Sequence, residues 1–343
     1  MRRLVAVACV AVLVAGACGD DDAAPAADPT VSEPADDGST STTVPSSTST
    51  TTTTMTTTTT TTTVAVAPPR GCDAAPTEQR TFVDDSRPTP ATETAAALPS
   101  RMLDVWIDRP TTPGPWPLVV FAHGLTGHPR SHEMHRRSLA AQCFVVVAPA
   151  FPLTNNDVPG AWANAGDVTG QIGDVSFLID EVLDDADLAP VVDPDRIGMI
   201  GHSLGGLTTA GAAIAPDADA RISAAVVMSA GFVEARSDVA VMVLHGDVDP
   251  LIQISIGIAG YEVLEGRGVF VTLLGGDHVA GILDDDSDYG RLVRAVTGAF
   301  LAVELDNGAG VVEDLYEAPL DVAVVEARTP AGPLDDWTDY FAA

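Results

Sequence analysis

A series of short, continuously apolar runs separated by stretches of helical period constrains this chain more than any other feature. The runs are Leu118–Ala122, Phe144–Ala148, Arg196–Ile200, Ala224–Met228, Val239–Leu244 and Val269–Leu274. Strands this apolar must be covered on both faces, as happens when a parallel sheet lies between helices. The intervening segments supply those helices: Ser131–Ala141, Gly166–Leu183, Ile252–Leu264 and Tyr289–Leu301. In the second, Val168, Ile172, Val175, Leu178 and Ile179 share one face; in the last, Leu292, Val293, Val296 and Phe300 recur at core spacing. Met102–Asp108 alternates apolar and polar residues and reads as a half-buried antiparallel strand. The expectation is an α/β fold with a mainly parallel central sheet and helices on both faces. Ligands in such sheets sit beyond the carboxyl ends of the strands.

Three of those ends carry chemistry. The run Arg196–Ile200 leads into Gly201-His202-Ser203-Leu204-Gly205, followed by the small residues Gly206, Ala210, Ala212 and Ala213. A serine hydroxyl is a weak nucleophile until a base removes its proton, so it must project from a tight turn that flanking glycines permit. Val239–Leu244 is followed by His245-Gly246-Asp247-Val248-Asp249-Pro250, and Val269–Leu274 by Gly275-Gly276-Asp277-His278. Serine, acid and histidine thus follow one another in the chain, each at a different strand end.

These stretches, with Val120-Phe121-Ala122-His123-Gly124 and Gly173-Asp174-Val175-Ser176-Phe177, resemble the α/β-hydrolases of the dienelactone hydrolase, chlorophyllase and platelet-activating-factor-acetylhydrolase-like group, in particular actinobacterial lipoprotein-type esterases. The resemblance covers roughly Met102 to Leu301. It implies an α/β-hydrolase fold and a catalytic triad of Ser203, Asp249 and His278. The acid of the pattern stands three residues after the glycine, which selects Asp249 and leaves Asp247 as a turn residue. The backbone N–H groups of Leu204, after the nucleophile, and Leu125, in the His-Gly-x loop, are the implied oxyanion donors. His123 is expected to order that loop. The implied activity is a carboxylesterase or lipase-like hydrolysis of small or lipid esters through an acyl-enzyme. A polyester hydrolase is the alternative, although such enzymes usually place an aromatic residue where this chain has Leu125. A non-catalytic surface binding protein and an acyltransferase complete the alternatives.

Composition bounds the setting. Acidic residues outnumber basic ones 48 to 17, the net charge is −31, and every basic side chain apart from histidine is an arginine. This excludes nucleic acid and anionic lipid surfaces as expected partners. Arg2-Arg3 followed by the apolar Leu4–Ala17 reads as a signal peptide over residues 1–17. Ala15-Gly16-Ala17-Cys18 resembles a bacterial lipobox, with Ala15 where the pattern usually has Leu. Lipidation of Cys18 would make that anchor the membrane contact of an exported lipoprotein; plain secretion is the alternative. Residues 18–69, rich in Asp and Pro and then in Ser and Thr, have no apolar face to bury and read as a tether.

The hydrolase domain is expected over 70–304 and a C-terminal appendage over 305–343, with a short helical run reaching Tyr316. Cys72 and Cys143 form either one disulfide in an oxidising compartment or two separate buried thiols. His128, His132 and His135, with Glu133 among them, are expected on a solvated helix face and not around a metal. No phosphate-binding or nucleotide motif is present, so no cofactor is expected, and a monomer acting on a small-molecule or lipid ester is.

Overall fold

The computed structural model describes residues 71–283, 286–306, 315 and 317–342, all in one unit of the chain. The expected signal peptide, Cys18, the tether and the run ending at Tyr316 (apart from Leu315) lie outside the described residues. The apolar runs become the strands β3 (Trp116–Ala122), β4 (Val145–Ala150), β5 (Val192–His202), β6 (Ile222–Met228), β7 (Ala240–Gly246) and β8 (Gly268–Leu273). They pair in parallel in the order β4-β3-β5-β6-β7-β8. Antiparallel strands flank this block: β1 (Glu78–Asp84) and β2 (Arg101–Asp108) on one side, β9 (Ala323–Thr329) and β10 (Gly332–Pro333) on the other, giving a ten-stranded sheet.

The helices are α1 (Glu133–Ala141), α2 (Val168–Asp184), α3 (Leu204–Thr209), α4 (Ile254–Glu262), α5 (Asp288–Asp306) and α6 (Thr338–Ala342). Because side chains alternate across a strand, each inner strand feeds two cores. Val120, Val147, Met199, Val227 and Val243 pack with Val175, Leu178 and Ile179 of α2 and with Leu204 and Leu207 of α3. Val119, Phe121, Val146, Ile200, Val226 and Met242 pack with Leu139 of α1 and with Leu292, Val293, Val296 and Phe300 of α5 on the other face. The result is an α/β-hydrolase fold, its mostly parallel sheet covered on both faces.

Three features differ from the expectations. β1 was not anticipated; its pattern of exposed and buried positions suits an edge strand, and its full antiparallel register with β2 holds it. In the 305–343 appendage a strand not read from the sequence appears: Ala323–Leu273 to Arg328–Gly268 pairing adds β9 to the sheet beside β8, and Tyr340 and Phe341 are buried behind α5. His128, His132 and His135 are buried, whereas Glu133 is exposed. Each ring is used locally: His128 Nδ1 accepts from Arg130 N, His132 Nδ1 bonds Ile282 O, and His135 Nε2 bonds Thr297 Oγ1. The expected solvated face is therefore corrected: His135 of α1 faces Thr297 of α5, while His132 and His128, in the turn before α1, pack on Phe121 and Trp106. Cys72 and Cys143 are joined, tying the lead-in to the end of α1, where Cys72 N also donates to Ala141 O at 2.8 Å.

Candidate active site

β5 ends at His202 and α3 begins at Leu204, leaving Ser203 alone in the turn. Its backbone sits at φ 53°, ψ −116°, a left-handed conformation that a non-glycine residue adopts only under strong local constraint. The constraint is visible in the flanking glycines. A Cβ on Gly201 would run into the Gly205 carbonyl, and one on Gly205 into the Ala122 carbonyl at the end of β3. The turn is thus clamped between its own helix and the neighbouring strand. Ser203 N donates to Met228 O at 2.9 Å, fixing it also to the end of β6.

The loops after β7 and β8 bring the acid and the histidine to this serine. His278 Nδ1 lies 2.7 Å from Asp249 Oδ2, and His278 Nε2 lies 2.9 Å from Ser203 Oγ. A carboxylate only accepts, so Nδ1 carries the proton and Nε2 is free to take one from the hydroxyl. The other carboxylate oxygen of Asp249 accepts from Leu251 N at 2.8 Å and Ile252 N at 2.9 Å. Burial pushes the Asp249 carboxyl up, yet the bonds from Ile252, His278 and Leu251 outweigh it and hold the group below the usual carboxylate range. Asp247, exposed, accepts instead from Gly275 N at 2.6 Å. Asp277 is exposed and accepts from Val279 N, as a turn residue does.

The loop after β3 runs against the serine: a Cβ placed on Gly124 would stand 3.3 Å from Ser203 Cβ. His123 staples this loop. Phe151 N donates to its Nε2 at 3.1 Å, so the proton is on Nδ1, which donates to Gly124 O at 2.7 Å. Burial pushes the His123 imidazole down to about 3, so the staple stays neutral. The segment after β4 locks the same loop from outside, with Thr126 N on Thr154 O and Asn156 N on Gly127 O. Gln171 of α2 then joins Thr154 to Thr208 of α3. Leu204 follows Ser203 at the start of α3 and Leu125 follows Gly124 in the loop after β3; among the described residues neither backbone N–H has a hydrogen-bond partner.

Two further histidines reach the triad, although the sequence reading gave neither a role. His202 Nε2–H donates to His278 O at 2.9 Å, and its ring lies 5.0 Å from the His278 ring. Burial, then the neighbouring His278, pushes His202 down to about 3. His245 Nε2 lies 2.8 Å from Ile252 O and 3.5 Å from Asp249 Oδ2, while its Nδ1 is buried without a partner against Gly257. Both stand beside motif residues, at the ends of β5 and β7, and that adjacency was the signal available.

This arrangement can deprotonate a hydroxyl, shelter the resulting imidazolium and do so in a closed hydrogen-bond chain. Comparison with known proteins agrees with that chemistry at the level of family. Residues 103–262 match the dienelactone hydrolase family. Over that stretch the chain is similar to the dienelactone hydrolases. The matched stretch runs from β2 to α4 and so contains Ser203 and Asp249, while His278 lies beyond it. Comparison with curated proteins returns no match. Among solved structures, the ferulic acid esterase from Streptomyces cinnamoneus is similar in fold, with a TM-score of 0.57 at 18% identity over 70% of this chain and 92% of that one.

Proposed function

We propose that this protein, similar over residues 103–262 to the dienelactone hydrolase family, is a serine esterase that cleaves carboxylic esters outside the cytoplasm, with Ser203 as nucleophile, His278 as base and Asp249 as its orienting acid. What carries the reading is the continuous chain Ser203 Oγ–His278 Nε2, His278 Nδ1–Asp249 Oδ2, at 2.9 and 2.7 Å. Ser203 Oγ attacks the ester carbonyl as His278 Nε2 takes its proton. The Leu125 and Leu204 N–H groups receive the oxyanion, each contributing roughly a hundredfold or more to the rate. His278 then protonates the departing alkoxide, leaving an acyl group on Ser203. Water, deprotonated by the same histidine, releases the acid and regenerates the serine.

The address is supported by the signal-like residues 1–17, the Cys18 lipobox and the Cys72–Cys143 bond, which suits an oxidising compartment. One experiment tests both parts. Intact cells producing the full chain should hydrolyse added p-nitrophenyl butyrate, and cells producing Ser203→Ala should not. Activity appearing only after lysis would contradict the address, and activity surviving the substitution would contradict the nucleophile.

A further inference from the structure

The exposed apolar side chains of this domain are unevenly placed. Trp162, Val233, Val248, Leu251 and Val279 are 38 to 73% exposed. All five belong to loops that leave the carboxyl ends of β4, β6, β7 and β8. Val248 and Leu251 bracket Asp249, and Val279 follows His278. At the opposite ends of the same strands the exposed side chains include Asp187, Asp195, Asp217, Asp238 and Glu265. Val263 is the large apolar residue exposed there among the described residues. From β4 to β8 is five strand spacings, about 24 Å, with the Ser203 turn at the end of β5 in between. Apolar side chains exposed at the same end of the sheet as the reactive centre offer a surface, or rim, on which something apolar can rest.

We propose that this rim docks the enzyme on the surface of an uncharged acylglycerol phase, so that the substrate is drawn from an oil–water interface. The inference rests on the esterase reading above, because what covers the rim must also present an ester to Ser203. The charge selects the phase. With a net charge of −31, and with Asp247 and Asp277 exposed among the rim residues, an anionic membrane is repelled while a neutral droplet is not. The rim is branched aliphatic apart from Trp162, which suits fluid acyl chains better than a flat aromatic polymer face.

Two measurements test it. Tributyrin hydrolysis by the wild type should climb sharply once the ester exceeds its solubility, whereas dissolved p-nitrophenyl acetate should give simple saturation. The double variant Trp162→Ser/Val233→Asp should lose roughly tenfold more rate on the emulsion than on the dissolved ester. Independently, catalytically silent Cys18→Ser/Ser203→Ala protein, which lacks the site of the lipid anchor, should float with triolein droplets and not with phosphatidylglycerol vesicles, and adding the two rim changes should abolish flotation. Parallel losses on both substrates, absence of flotation, or stronger capture by anionic vesicles or polyester particles would overturn the docking surface. A wild type that leaves p-nitrophenyl acetate intact would instead sink the esterase reading, and flotation would still report on the rim.

Discussion

Asp247 and Asp249 are two residues apart and chemically identical, yet the fold gives them different work. Asp249 is buried and holds His278, while Asp247 is exposed and holds the Gly275 turn. Asp249→Asn offers an amide that cannot keep the imidazole in the required tautomer, and kcat should fall on the order of a thousandfold or more. Asp247→Asn keeps an acceptor for Gly275 N–H and should cost little. Steady-state kinetics on p-nitrophenyl acetate decide between them, and the reverse ranking would move the acid. Asp249 was legible in the sequence only through the resemblance, whose pattern sets the acid three residues after Gly246. The roles of His202 and His245 were not legible. Each acts on a carbonyl or carboxylate, His278 O and Asp249 Oδ2, that only the fold brings within reach.

At the scale of elements, α2 is pinned to the antiparallel edge of the sheet by buried charge. Asp174 Oδ1 accepts from Arg101 Nε at 2.6 Å and from Arg87 Nη2 at 2.9 Å, and Arg101 also holds Asp167. Arg101 is 2% exposed and Asp174 is fully buried, so removing the carboxylate leaves the Arg101 Nε–H unpaired inside the protein and Asp167 as the one remaining carboxylate partner of Arg101. Asp174→Ala should lower unfolding free energy by about 2–3 kcal/mol. Urea titration checks this, and a loss within experimental error would show that the pair is dispensable. The inner strands and α2 were readable because their apolar periods are unambiguous. β1 and β9 were harder: edge strands with one exposed face carry mixed residues, and their identity comes from pairing with β2 and β8. The histidines around α1 misled for a similar reason. His128, His132 and His135 look like a polar surface until the fold packs them against Trp106, Phe121 and α5 in turn.

Across the whole molecule, all seven histidines are buried. Burial pushes His123, His135 and His202 down to about 3, and lowers His128 and His245. Folded values below the unfolded value near 6.5 mean that the unfolded chain takes up protons the native state refuses. Stability is therefore full above about pH 6.5 and falls as pH drops towards about 3. Three such groups together give a slope of about 4 kcal/mol per pH unit in the middle of that window. Melting curves from pH 7.5 to 4.5 should show the decline, and His135→Gln should make it shallower by removing one of the three. A flat or rising profile would contradict this account. The central claim, that the domain as folded makes Ser203 a nucleophile, is tested most directly by intact-mass analysis after treatment with a fluorophosphonate. In that reaction Ser203 Oγ displaces fluoride from phosphorus. One adduct per chain, mapped to Ser203 and absent from Ser203→Ala and His278→Ala, is the predicted result; a folded wild type that stays unlabelled, or is labelled elsewhere, would contradict it.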